Sequence, residues 1–211
     1  DLGYVTTNPI RVAGATSTDQ LFVLGSQDAP QLIVQANGTQ DMENPLIQFR
    51  DSAGTPIGGI HTNHATNFFA GLESGSFITT ATYNTAVGYQ TLYNSWLDVS
   101  GSYNTAFGAE AMRGYSGNNM TGNDNTAVGY RGLASLSSGY GNTAVGYSSL
   151  ADNTTGYQNN AFGWGALANN TTGLKNVAIG VEALTNNIDG ESNTSVGNES
   201  MFNNNGDDNV A

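Results

Sequence analysis

The chain contains no cysteine. That excludes disulfides, thiolate metal sites and cysteine nucleophiles. Charge is scarce too: Asp, Glu, Lys and Arg make up 10% of the 211 residues, and the only basic side chains besides two histidines are Arg11, Arg50, Arg113, Arg131 and Lys175. With a formal net charge of −12 there is no Lys/Arg stripe to neutralise phosphates, which excludes nucleic-acid binding and argues against an anionic membrane surface. No apolar run reaches about 18 residues, so no spanning helix or membrane insertion is expected. The opening DLGYVTTNPI lacks a basic stretch followed by an apolar one and does not read as a signal peptide.

Gly, Asn, Thr and Ser dominate, alongside ten Tyr, eight Phe and two Trp. Disordered chains are usually rich in charge and poor in aromatics, so this composition reads as a folded, turn-dense β protein. An internal period supports that reading. The Asn of an N-x-x-x-G phrase recurs at Asn84, Asn104, Asn125, Asn142, Asn159, Asn176 and Asn193, with spacings of 20, 21, 17, 17, 17 and 17. The matching glycines are Gly88, Gly108, Gly129, Gly146, Gly163, Gly180 and Gly197. A degenerate copy, NFFAG, opens at Asn67, and a last, cut-off copy opens at Asn209, so the native chain is expected to continue past Ala211.

Each unit has the form N-T-A-V-G-Y-x-x-L-x-x-N-T-T-G. The first half carries the β-branched and aromatic residues of a short strand. A Leu or Met follows four residues after the Gly, and N-T-T-G is turn chemistry. Seventeen residues holding two turns leave no room for a helix. One such coil cannot bury its own Val and Leu, but stacked neighbours can cover them. The expected fold is therefore all-β: a parallel β-roll, or β-solenoid, of about eight coils. It should span residues 65–211 and follow a small separate β segment over residues 1–64, where QLFVLG, QLIVQA and PLIQFRDSAGTPIGGI read as strands and DSAG as a turn.

Alternation along T-A-V-G-Y puts Thr85, Val87 and Tyr89 on one face and Ala86 and Gly88 on the other. The expectation is that the column Val87, Phe107, Val128, Val145, Phe162, Ile179 and Val196 points inward. The thin Ala/Gly face would then point outward and admit another copy of the chain, giving an oligomer about the rod axis. The Asn column should form a hydrogen-bonded ladder of stacked amides.

The repeated phrase resembles the head repeats of trimeric autotransporter adhesins, where N-S-V-A-I-G is close to NVAIG at residues 176–180, and resembles more nearly the repeats of bacteriophage tail fibres. The resemblance covers about residues 67–211, although this unit is longer than the usual adhesin repeat. PLIQFRDSAGTPIGGI is similar to segments that precede such repeats in tail-fibre-like proteins. The resemblance implies three left-handed β-rolls packed about one axis: a homotrimeric, extracellular, cofactor-free, non-enzymatic fibre on a virion or a bacterial surface. Its implied partner is a cell-surface receptor or glycan.

Two coils carry insertions, within YNSWLDVS and RGYSGNNM, which should emerge at one corner of the solenoid. Trp96, Leu97, Tyr115 and Met120 are thereby the candidate receptor- or glycan-binding residues, the alternative being that these loops pack on their neighbours. His61 and His64 could hold a metal if repeated about a trimer axis, although packing or capping is the ordinary role. Asp207 and Asp208 read as solvated turn residues. The N-x-S/T triplets at Asn37, Asn119, Asn153 and Asn170 arise readily in so Asn- and Thr-rich a chain. Two further function classes stay open: a glycan-processing tail-spike-like enzyme, which needs paired carboxylates, and a monomeric ice-binding solenoid, which needs a regular Thr array.

Overall fold

The structure, a computed structural model, describes residues 47–50, 55–61, 66–76, 78, 80–94, 99–114 and 119–211. The expected strands QLFVLG and QLIVQA and the DSAG turn lie outside the described residues. The described residues all belong to one compact unit.

Among the described residues, ten strands form a single sheet in strict chain order. β1 (Ile47–Arg50) and β2 (Pro56–His61) pair antiparallel, and β2 pairs antiparallel with β3 (Phe68–Ala70). The strands on either side of the expected boundary at residues 64–65 are thus neighbours in one sheet. From there every strand is a three-residue segment of the repeat: β4 (Thr85–Val87), β5 (Thr105–Phe107), β6 (Thr126–Val128), β7 (Thr143–Val145), β8 (Asn160–Phe162), β9 (Val177–Ile179) and β10 (Thr194–Val196). β3 to β10 are parallel and in register, so Ala86 sits over Ala106, Ala127, Ala144, Ala161 and Ala178. The chain makes a full turn between each strand and the next. This is the β-solenoid the repeat predicts, and at the usual strand spacing its eight parallel strands extend about 34 Å.

What closes a coil in so few residues is left-handed backbone. In each regular coil the residue before the Asn, the second after the Gly and the fourth after the Gly have φ between +49 and +66°; in the coil opening at Asn176 these are Lys175, Glu182 and Leu184. The Gly itself lies at φ +128 to +143° from Gly71 to Gly197, a region open essentially to glycine alone. A methyl group on Gly163 would also collide with the carbonyl oxygen of Gly180 in the next coil. Conformation and close stacking therefore both require glycine there.

The core lies between the strand and the Leu corner. Leu92, Met112, Leu133, Leu150, Leu167 and Leu184 are fully buried, and so are Ala86, Ala106, Ala127, Ala144, Ala161 and Ala178. This inverts the expected faces of the strand: Ala points in and Val points out. The reason is volume. A coil this narrow already holds the large side chain of the Leu corner opposite the strand, so the facing strand position must be small. At the first coil Phe69 replaces Ala, and its ring occupies the space that a Cβ on Gly75 would need. At β10 Ser195 replaces Ala, and its hydroxyl donates to the Ser200 carbonyl at 2.8 Å. The Ala column is interior and the glycines beside it are half-buried, so this is not the open face expected to admit another chain.

Polar continuity comes from the buried Asn column. In each coil the Asn Oδ1 accepts the backbone N–H of the next coil's Asn, at 2.8–3.0 Å from Asn67–Asn84 through Asn193–Asn209. Its Nδ2 donates to a turn carbonyl, as from Asn142 to Gly156 and from Asn159 to Gly173. A second buried ladder runs through Asn153, Asn170 and Asn187, whose amides also donate to Gly156, Gly173 and Gly190. The amide ladder expected from the sequence is present twice.

Candidate functional site

The surface is sharply divided. The outward positions of β3–β10 are Phe68 and Ala70, Thr85 and Val87, Thr105 and Phe107, Thr126 and Val128, Thr143 and Val145, Asn160 and Phe162, Val177 and Ile179, and Thr194 and Val196. None is charged, in a chain of net charge −12. Phe107 is 55% exposed, and Phe68, Val128, Phe162, Ile179 and Val196 are exposed as well. A soluble monomer rarely shows an apolar strip of this length.

Two corners border the face, where the chain enters and leaves each strand. At the trailing corner, just after the Gly, Tyr130 stacks towards Tyr147 with centroids 5.3 Å apart, and Tyr147 on Trp164 at 6.0 Å. At the leading corner, Tyr83 stacks on Tyr103 at 5.0 Å and Tyr140 on Tyr157 at 4.7 Å, both nearly parallel. Rings piled along the solenoid axis turn their faces to one another and their edges outward. Among the described repeats, every large hydrophobic side chain that is exposed lies on the strand face or at these corners, except Ile188. The opposite side is polar; there Asn169 donates to Asn186, and Asn186 to Asn203, each at 2.7 Å.

Charges gather at the corners. Glu110 pairs with Arg113 at 3.6 Å and lies 4.0 Å from Arg131. The Arg113 guanidinium also lies 5.9 Å from the Tyr93 ring centroid. Burial, and secondarily the Glu73 carboxylate, raise the Tyr93 phenol above its usual range, while Arg113 opposes this.

Trp96, Leu97 and Tyr115 lie outside the described residues. Their flanks are ordered alike: Val99 bridges to Ile78 on one side and Met120 on the other, so both insertions leave from the same corner. Met120 is not on the rim. It is fully buried in the core, because it closes the insertion back onto the Val99 column. His61 is buried with its ring 5.3 Å from Phe69, and His64 lies outside the described residues. Among the described residues no three His, Asp or Glu side chains converge as a metal site. Asn153 and Asn170 are fully buried in the second ladder, which rules them out as glycan acceptors. Asp207 is exposed, and its carboxylate accepts the Glu191 N–H at 2.8 Å.

The sequence reading missed the outward apolar face, although its signal was present. The strand column holds Val, Phe and Ile, whereas the Leu corner holds only Leu and Met, neither of them branched at Cβ. Branching at Cβ is excluded from left-handed backbone, so this sorting marks which column turns the corner. No family model, curated protein or solved structure matches the chain.

Proposed function

We propose that this chain is a structural and adhesive segment of a homotrimeric extracellular fibre, a phage tail fibre or a bacterial surface adhesin, that mediates attachment to a host or target cell. One observation carries the reading: a solenoid whose exposed large apolar side chains, Ile188 apart, lie in the described repeats on one uncharged face and its two borders. Self-association covers that face. Copies carrying −12 each can meet there without opposing like charges. Three copies follow from the resemblance of the repeat to trimeric fibres. The fibre supplies length and stiffness, and the insertions within residues 93–100 and 113–120 supply the receptor- or glycan-contacting positions Trp96, Leu97 and Tyr115.

The ice-binding alternative has less support. Thr85, Thr105, Thr126 and Thr143 do form an outward column, but Asn160 and Val177 interrupt it and Phe107 and Phe162 stand beside it. The test of the attachment role is binding of the fluorescently labelled segment to candidate host cells. Loss of binding on replacing the two insertions by the regular 17-residue turn supports it. Binding that survives the replacement, or no binding to any cell carrying the receptor of the parent fibre, contradicts it.

A further inference from the structure

The two corners of the solenoid match each other in its last four full coils. In the coils opening at Asn142, Asn159, Asn176 and Asn193, the second residue before the Asn and the first after the Gly set Tyr140 with Tyr147, Tyr157 with Trp164, Leu174 with Val181, and Glu191 with Asn198. Aromatic goes with aromatic, aliphatic with aliphatic, polar with polar. At the next position on each side, Asp124 goes with Arg131 and Lys175 with Glu182. These are opposite charges, and their order reverses between the two coils. Seven residues and a whole strand separate the members of each set, so the match does no work within one chain. Lys175 has no ion-pair partner within 4.0 Å among the described residues, and its side chain is exposed.

We infer that the leading corner of one copy packs against the trailing corner of the next copy at the same level, forming a parallel, cyclic seam. The inference rests on self-association through the strand face and specifies its register and partner residues. When copies turn one face towards a common axis, each copy's leading border necessarily adjoins its neighbour's trailing border, a heterologous contact that closes into a ring. The level is fixed by charge. With no axial displacement, Asp124 faces Arg131 and Lys175 faces Glu182. Displacement by one coil sets Asp124 against Glu110 in one direction; in the other it sets Asp124 against Ser148 and Lys175 against Glu199, so only the undisplaced register keeps both opposite-charge pairs. Beside these pairs the ladder edges of Tyr140 and Tyr157 meet those of Tyr147 and Trp164, an edge-rich aromatic contact that suits interfaces.

The absence of native cysteine makes the test direct. Lys175→Cys and Glu182→Cys copies are prepared separately and also refolded together, then treated with a short bis-maleimide and run on a denaturing gel. The seam predicts that neither variant links to itself and that the mixture yields a two-chain band. It also predicts that Lys175→Glu lowers the oligomer fraction and that adding Glu182→Lys restores it. If the preparations are oligomeric by light scattering yet the mixture gives no band, or a single variant links to itself, the seam is overturned while self-association stands. If they are monomeric, both fall.

Discussion

The side-chain oxygen of Asn159 accepts two hydrogen bonds from Asn176, one from its backbone N–H at 3.0 Å and one from its amide at 3.1 Å. At the same time the Asn159 amide donates to the Gly173 carbonyl at 2.8 Å. One fully buried side chain thereby satisfies groups from two coils, and no other residue type of that size both donates and accepts so.

Asn159→Ala leaves the Asn176 N–H and the Gly173 carbonyl buried without those partners. Each such loss costs about 1–3 kcal/mol, which should appear as a lower midpoint in denaturant unfolding. Asn159→Asp keeps the shape but replaces the donor by a second acceptor. Burial should raise that carboxyl's folded pKa above its unfolded value. The variant should then be least stable at neutral pH and recover as pH falls through the raised pKa, because the folded state holds the proton more tightly. A midpoint independent of pH between neutral and acid would contradict the buried ladder.

Gly163→Ala and Gly197→Ala share the strained φ but differ in what lies above them. Gly163 meets the Gly180 carbonyl, whereas the nearest atom to a Cβ on Gly197 is the Ser200 Cβ at 3.6 Å. The first substitution should therefore cost clearly more in thermal unfolding. Equal losses would mean that backbone strain alone, not coil contact, fixes the glycine column.

Leu150 is buried at φ +50°. Leu150→Met, which the chain itself uses at Met112 and Met201, should cost under about 1.5 kcal/mol. Leu150→Ile conserves volume but places a branched Cβ in left-handed backbone and should cost more. Leu150→Ala should cost about 2–5 kcal/mol through cavity formation. Thermal midpoints in the order Met, Ile, Ala test this, and Ile as mild as Met would count against it.

The faces of the strand give a paired prediction. Ala161→Val overpacks the core and should cost about 1–3 kcal/mol. Phe162→Asp, one residue away, should leave the far-ultraviolet circular dichroism of the folded coil intact while shifting the mass distribution to smaller species. If Phe162→Asp unfolds the chain and Ala161→Val is silent, the assignment of inside and outside is wrong.

Much of this architecture was legible in the sequence because the repeat fixes it. Period, strand placement and the Asn ladder follow from chemistry that recurs in every copy. The direction of Val145 and Phe162 was misread, because alternation alone leaves the two faces of an isolated strand equivalent and the sorting of Cβ-branched residues between the columns was the cue that went unused. Only the width of the coil, set by Leu150 and Leu167 across the core, decides which face is inside. Met120 was misplaced for a related reason: the length of an insertion does not reveal where it rejoins the stack, and Met120 rejoins it as the partner of Val99.

The central claim is that the strand face is covered by other copies of the chain. Light scattering of the intact chain across a dilution series tests it most directly. The account predicts a mass three times the 21.9 kDa of one chain, falling towards that of one chain on dilution or in Phe107→Asp with Phe162→Asp. A species of 21.9 kDa that stays folded and soluble at all concentrations would contradict it.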